Sequence, residues 1–136
     1  MKFGKVLLAG IVVGIINPIW GFITCGKLFN WVYLLEPTFV WKLPEQISYT
    51  VFSISGIIFA ILLALVYALL YKGIPGGNLI KKGLWFGLCV WLVGCLPGCT
   101  SFLFFSVIAP TVIYYWIISG LVVALWQGVV IAVIYK

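Results

Sequence analysis

The chain has 136 residues, of which 65% are hydrophobic and 7% charged; a soluble domain is about half apolar and about a quarter charged, so the composition excludes an ordinary water-soluble globule and points to an integral membrane protein. Its net charge of +6 rests on eight lysines, with no arginine and no histidine. Those lysines sit at the ends of apolar runs rather than on one basic face or in an arginine-rich groove, which excludes nucleic-acid binding.

In chain order, Met1–Lys5 is a short basic start, and Val6–Thr24 is a first apolar run with Asn17-Pro18 inside it. A basic start before an apolar run resembles a secretory signal, but the run is longer than a signal core and no small-x-small cleavage site follows. It reads as a permanent span, 6–24. Residues 25–48 form the most polar stretch and hold the two acids, Glu36 and Glu45, together with Trp31, Tyr33, Trp41, Pro37 and Pro44. Trp and Tyr favour the headgroup layer, so this segment is expected to lie along the outer surface, with a short interfacial helix near 28–35.

Residues 49–71 form the second span, and Pro75-Gly76-Gly77 forms a turn after it. The third span is expected over 82–105, kinked or partly unwound at Pro97, because a helical proline removes one hydrogen bond and clashes with the preceding turn. The alternative is a re-entrant hairpin turning at Pro97-Gly98. Pro110 marks the next turn, and residues 111–135 form the fourth span. With the N-terminus inside, the inner side carries Lys2, Lys5, Lys72, Lys81, Lys82 and Lys136, and the outer side Lys27 and Lys42. This bias places both termini in the cytoplasm, in what is expected to be a prokaryotic inner membrane.

The second and fourth spans echo each other. Ser-Gly opens Ser55–Lys72 and Ser119–Lys136, and Tyr-Lys closes both. Small residues recur every fourth position: Gly56, Ala60, Ala64 and Ala68 in one, Gly120, Ala124, Gly128 and Ala132 in the other. Such a stripe lies on one helix face and lets backbones approach closely in lipid. Gly10, Gly14 and Gly21 recur likewise as Gly83, Gly87 and Gly94. The expected fold class is an all-α membrane protein, a four-transmembrane-helix bundle built as two parallel helical-hairpin repeats.

Components for chemistry are few. No acid, histidine or arginine lies within a span, so proton relays and charged gates have no parts. No phosphate loop or nucleophile motif is present. Cys95 and Cys99 flank Pro97-Gly98, Cys25 ends the first span, and Cys89 lies deeper. Three readings stay open for the thiols: packing, a structural disulfide, or redox and soft-metal chemistry. Asn17 and Gln127 are the deep amides, about 18 Å and 12 Å from the same end of their spans at 1.5 Å per residue. They are close enough in depth to hydrogen-bond, or to line a small polar cavity.

The run F-N-W-V-Y-L-L-E-P-T-F-V-W-K from Phe29, with Y-K-G-I-P-G from Tyr71 and the K-G-L-W-F-G-L opening of the third span, resembles small four-helix integral membrane proteins of prokaryotes. The resemblance implies the architecture, with Glu36-Pro37-Thr38 and Trp41 as its signature, and brings no activity. The functional expectation is a non-enzymatic membrane protein without a cofactor, a subunit of a homo-oligomeric small-solute transporter or channel. The alternatives are a thiol redox or soft-metal protein using Cys95 and Cys99, with Cys25 as a further partner, and a structural protein contacting membrane lipid.

Overall fold

The computed structural model describes residues 2–42 and 44–136. Met1, which opens the basic start, and Leu43, within the polar segment, lie outside the described residues. Among these the secondary structure is helical, with no strand. Four helical stretches are long and apolar enough to cross a membrane: Phe3–Leu28, Tyr49–Leu70, Leu79–Phe105 and Pro110–Tyr135.

Helix α1, Phe3–Ile23, runs through Pro18 and widens into a π-helical turn, Thr24–Leu28. The Thr24 hydroxyl donates to the Trp20 carbonyl at 2.8 Å. Three short 3-10 turns follow, Asn30–Leu34, Thr38–Val40 and Pro44–Gln46. The surface helix expected near 28–35 is thus one five-residue 3-10 turn, bounded by the wide turn before it and extended Leu35 after it.

Helix α2, Tyr49–Leu70, starts at Ser48, whose side chain accepts from the Val51 N–H. Gly76, between α2 and the next helix, has φ +142°, a conformation that suits glycine. Helix α3, Leu79–Val90, is capped by Asn78, whose Oδ1 accepts from the Lys81 N–H at 2.8 Å. A second π-helical turn, Trp91–Cys95, leads directly into α4, Leu96–Phe105. The chain does not turn back at Pro97-Gly98. Pro97 follows the widened turn directly, and the residue whose carbonyl it crowds, Val93, lies inside that turn, so the span is partly unwound where a helical proline disturbs it. Helix α5, Pro110–Tyr135, also has its proline in its first turn.

Adjacent helices pair as antiparallel hairpins, α1 with α2 and α3 with α5. Glycine makes both crossings close. A Cβ at Gly10 would stand 2.5 Å from the Ile61 Cα, and one at Gly14 2.7 Å from the Ile57 Cα. A Cβ at Gly83 would stand 2.5 Å from the Val129 Cα, and one at Gly87 2.9 Å from the Leu125 Cα. Gly128 in turn abuts the backbone of Gly83 and Gly87. Helix α5 also packs on α1 and α4, whereas α2 touches it only sparsely.

The core gathers at the end that carries both termini. It joins Val6, Ala9 and Val13 to Ala60, Ala64 and Tyr67, and to Phe86, Ile131, Ala132 and Tyr135. Tyr67 is its hub, with ring centroids 5.1 Å from Phe86, 5.9 Å from Tyr71 and 5.9 Å from Tyr135. Lys2 Nζ donates to the Lys136 main-chain oxygen at 3.2 Å, and Lys5 Nζ donates to the same atom. Beyond the crossing at Ile57, towards the far end, α2 diverges: Tyr49, Val51, Phe52 and Ile54 are all more than half exposed.

Candidate functional site

Where α2 diverges, a cavity of about 400 Å³ opens between α1, α2 and α5. Its polar groups are Asn17 from α1, Ser55 from α2 and Gln127 from α5; Phe52, Gly56, Phe59, Ala60 and Leu63 supply apolar walls. Gln127 Nε2 donates to Asn17 Oδ1 at 3.0 Å. Each side-chain amide offers two donor hydrogens and a carbonyl oxygen. The single bond between them therefore leaves the Asn17 amide hydrogens and the Gln127 carbonyl oxygen for a third group. Ser55 Oγ donates to the Phe52 carbonyl at 2.9 Å and keeps its lone pairs as acceptors. No charged side chain lines this space, so it suits a neutral molecule with both donors and acceptors.

Glycine and alanine create the opening. Gly56 has nothing within 4 Å of the position a Cβ would take, because that direction points into the cavity it lines. One turn on, Ala60 is buried, and Ala64 after it is completely so. The four-residue stripe of α2 therefore changes role along its length, from cavity wall at Gly56 and Ala60 to helix contact at Ala64.

At the far end, the polar segment folds onto α5. Trp116 Nε1 donates to Tyr33 Oη at 2.9 Å, and Cys25 Sγ lies 3.4 Å from Tyr115 Oη. Trp41 sits edge-on to both Tyr33 and Trp116, with centroids 5.4 Å and 6.1 Å away. Burial, followed by contact with the Cys25 thiol, pushes the Tyr33 phenol well above its ordinary range. Trp31 remains exposed and lines an apolar groove with Trp20, Phe29 and Tyr114. Glu36 is exposed, and its carboxylate accepts from the Thr38 N–H at 3.1 Å.

All four cysteines are free thiols. Cys95 and Cys99 face each other across one turn with their sulfurs 3.8 Å apart, and Cys95 Sγ lies 3.9 Å from the Trp116 carbonyl oxygen. Cys25 lies against Thr24 and Tyr115 rather than against this pair. Cys89 is exposed beside Ile74 and Pro75. Gly120 of α5 faces the Cys95 sulfur, which occupies the place a Cβ would need. Among the described residues no group of three or more His, Cys, Asp or Glu side chains converges on one point.

The structure brings Asn17 together with Gln127, Cys95 with Cys99, and Gly10, Gly14, Gly83 and Gly87 with the backbones opposite them. It separates Glu36 and Trp31 from these loci and places Trp41 inside the aromatic cluster. Sequence reasoning missed Ser55 as a cavity group and Tyr33 as a half-buried hydrogen-bond acceptor. The Ser-Gly pair opening the α2 repeat carried a signal for the first, since a serine beside a glycine gap is placed to line space. No protein-family model matches the chain, and no curated protein or solved structure matches it.

Proposed function

We propose that the chain is a four-span integral membrane protein that acts, without catalysis, as a subunit of a homo-oligomeric transporter or channel for a small uncharged polar solute. The observation that carries this reading is the Asn17–Gln127 pair, with spare donors and acceptors, in a cavity that opens at the side where α2 diverges. Polar groups in the middle of an apolar bundle are costly, and they mark binding sites and pathways when they face a cavity. At 1.5 Å per residue, Gln127 stands about 12 Å from the end of α5, well inside a hydrocarbon layer of about 30 Å. A second copy seated against the exposed half of α2 would turn the side opening into an enclosed path.

The lysine distribution supports cytoplasmic termini, in a prokaryotic inner membrane on this reading. The packing supports a duplicated hairpin, because the first helix of each pair crosses its own second helix through glycines four apart. The two crossings differ in register. Ile61, the partner of Gly10, corresponds to Leu125 in the second copy, but Gly83 meets Val129, four residues or one helical turn further along. A duplication that slid by one turn retains the small-residue face, since the stripe itself repeats every four residues.

The test is osmotic swelling of liposomes containing the purified chain, with urea and glycerol as solutes, alongside its oligomeric state in detergent. Faster swelling than in protein-free liposomes, a dimer or larger assembly, and a rate reduced severalfold by Gln127→Leu are expected. A monomer with retained lipid and no flux would sink the transport reading and favour the lipid-contacting one.

A further inference from the structure

We propose that Cys95 and Cys99 form a two-coordinate site for a soft monovalent metal ion, Cu(I) in the first instance. This site shares no residue with the amide cavity and stands or falls apart from it. Soft thiolate donors select Cu(I), zinc and iron–sulfur clusters, and a cluster takes four cysteines. The described residues supply two such donors here and no third metal-binding side chain. That donor count disfavours zinc, which is held by four ligands in structural sites and three in catalytic ones.

The spacing also separates metal binding from disulfide formation. The two sulfurs stand 3.8 Å apart. A thiolate–metal bond is about 2.3 Å long for an ion such as zinc, so two sulfurs on opposite sides of one ion stand about 4.6 Å apart. Side-chain rotation supplies that small widening. A disulfide instead requires about 2.05 Å, which draws the two residues together across a full helical turn.

Two features of the fold place the thiols. The π-helical turn Trp91–Cys95 absorbs an extra residue, so Cys95 faces α5 although it lies eight positions beyond Gly87; two α-helical turns take only about seven. Gly120 then leaves the space that the Cys95 sulfur fills. Binding is a ligand exchange without electron transfer. One Cu(I) and two thiols give one S–Cu–S unit of net charge −1, and two protons are released. Cys99 lies six residues from the end of α4, about 9 Å at 1.5 Å per residue, within reach of the far-end surface.

The test uses Ag(I) as a redox-inert stand-in, titrated into the reduced full-length chain in detergent with a competing chelator. One retained Ag(I) per chain is expected, together with protection of Cys95 and Cys99, but not Cys25 and Cys89, from alkylation read by peptide mass mapping. The alkylation pattern is read on the wild-type chain and does not depend on any variant folding. Cys95→Ser and Cys99→Ser should each abolish retention, while the Cys25→Ser/Cys89→Ser double variant keeps it. Unprotected Cys95 and Cys99, retention that survives either single substitution, or a Cys95–Cys99 disulfide persisting under reductant would each overturn the proposal.

Discussion

Replacing Gly87 by alanine drives a methyl group into the backbone of α5. The new carbon would meet the Ala124 carbonyl oxygen and would lie 2.8 Å from the Ala124 carbonyl carbon and 2.9 Å from the Leu125 Cα. Ordinary carbon–carbon contact is about 3.5–4.0 Å, so α3 and α5 must part locally by at least about 0.6 Å. All three atoms belong to main chain, so no side-chain tip can yield. Overpacking of this kind costs about 1–3 kcal/mol, and a backbone-on-backbone collision belongs near the upper end. Alanine's better helix propensity offsets about 1 kcal/mol, leaving a net loss of about 2 kcal/mol. Gly21 is the internal control, because nothing lies within 4 Å of its Cβ position. There the propensity term acts alone, and Gly21→Ala should be neutral or gain up to about 1 kcal/mol. The assay is reversible unfolding in mixed detergent and dodecyl sulfate, followed by helical circular dichroism. A Gly87→Ala chain as stable as Gly21→Ala would refute the close crossing.

A double-mutant cycle on Asn17→Ala and Gln127→Ala, read by the same unfolding, should give a coupling near 0.6 kcal/mol, the average for hydrogen bonds between membrane helices; zero coupling would mean that the two amides do not meet. Tyr67 is completely buried and its hydroxyl has no hydrogen-bond partner among the described residues. Since leaving a buried polar group unpaired costs about 1–3 kcal/mol, Tyr67→Phe should stabilise the chain, and a clear loss of stability would reveal a bound partner for that hydroxyl. The folded chain holds the Tyr33 proton more tightly than the unfolded chain, whose phenol titrates near about 10. The stability gained from burying the neutral phenol is therefore full below that pH and is lost as pH rises beyond it. The difference in tyrosinate absorbance against pH between wild type and Tyr33→Phe should be one phenol titrating late, and a difference that titrates with an ordinary midpoint would count against burial. Finally, tags on both ends should resist protease added outside intact cells, and cleavage of either would reverse the lysine-based orientation.

The four long apolar helices are legible in the sequence because an unbroken apolar run of that length is too long for a strand and reads as a helix, and that pattern survives any choice of partner. The glycine spacing at Gly10, Gly14, Gly83 and Gly87 is legible for a similar reason: close crossing leaves few residue types possible. The partners themselves are less so. Nothing local to α2 or α5 announces the one-turn difference in register, because a stripe repeating every four residues fits equally well when slid by four. Pro97 marked the disturbed turn: the hydrogen bond it removes and the carbonyl it crowds belong to Val93, four residues earlier, inside the widened stretch Trp91–Cys95. Asn17 and Gln127 stood out as polar groups deep in apolar runs, whereas Ser55 did not, since serine is common near the ends of such runs. The Tyr33–Trp116 and Cys25–Tyr115 contacts join residues 83 and 90 positions apart and have no periodicity to betray them.

Every glycine crossing in the bundle lies inside a hairpin of helices that are neighbours in this four-span order. Each pair therefore has its tight contacts available as soon as its second helix has been synthesised, with no need of the other pair. The Tyr67, Phe86 and Tyr135 cluster draws on both pairs and can close only when the last helix has arrived. Folding by this route is two local pairings followed by one late joining step, and the loop between Tyr71 and Asn78 is the natural place to divide the chain into separately expressed halves.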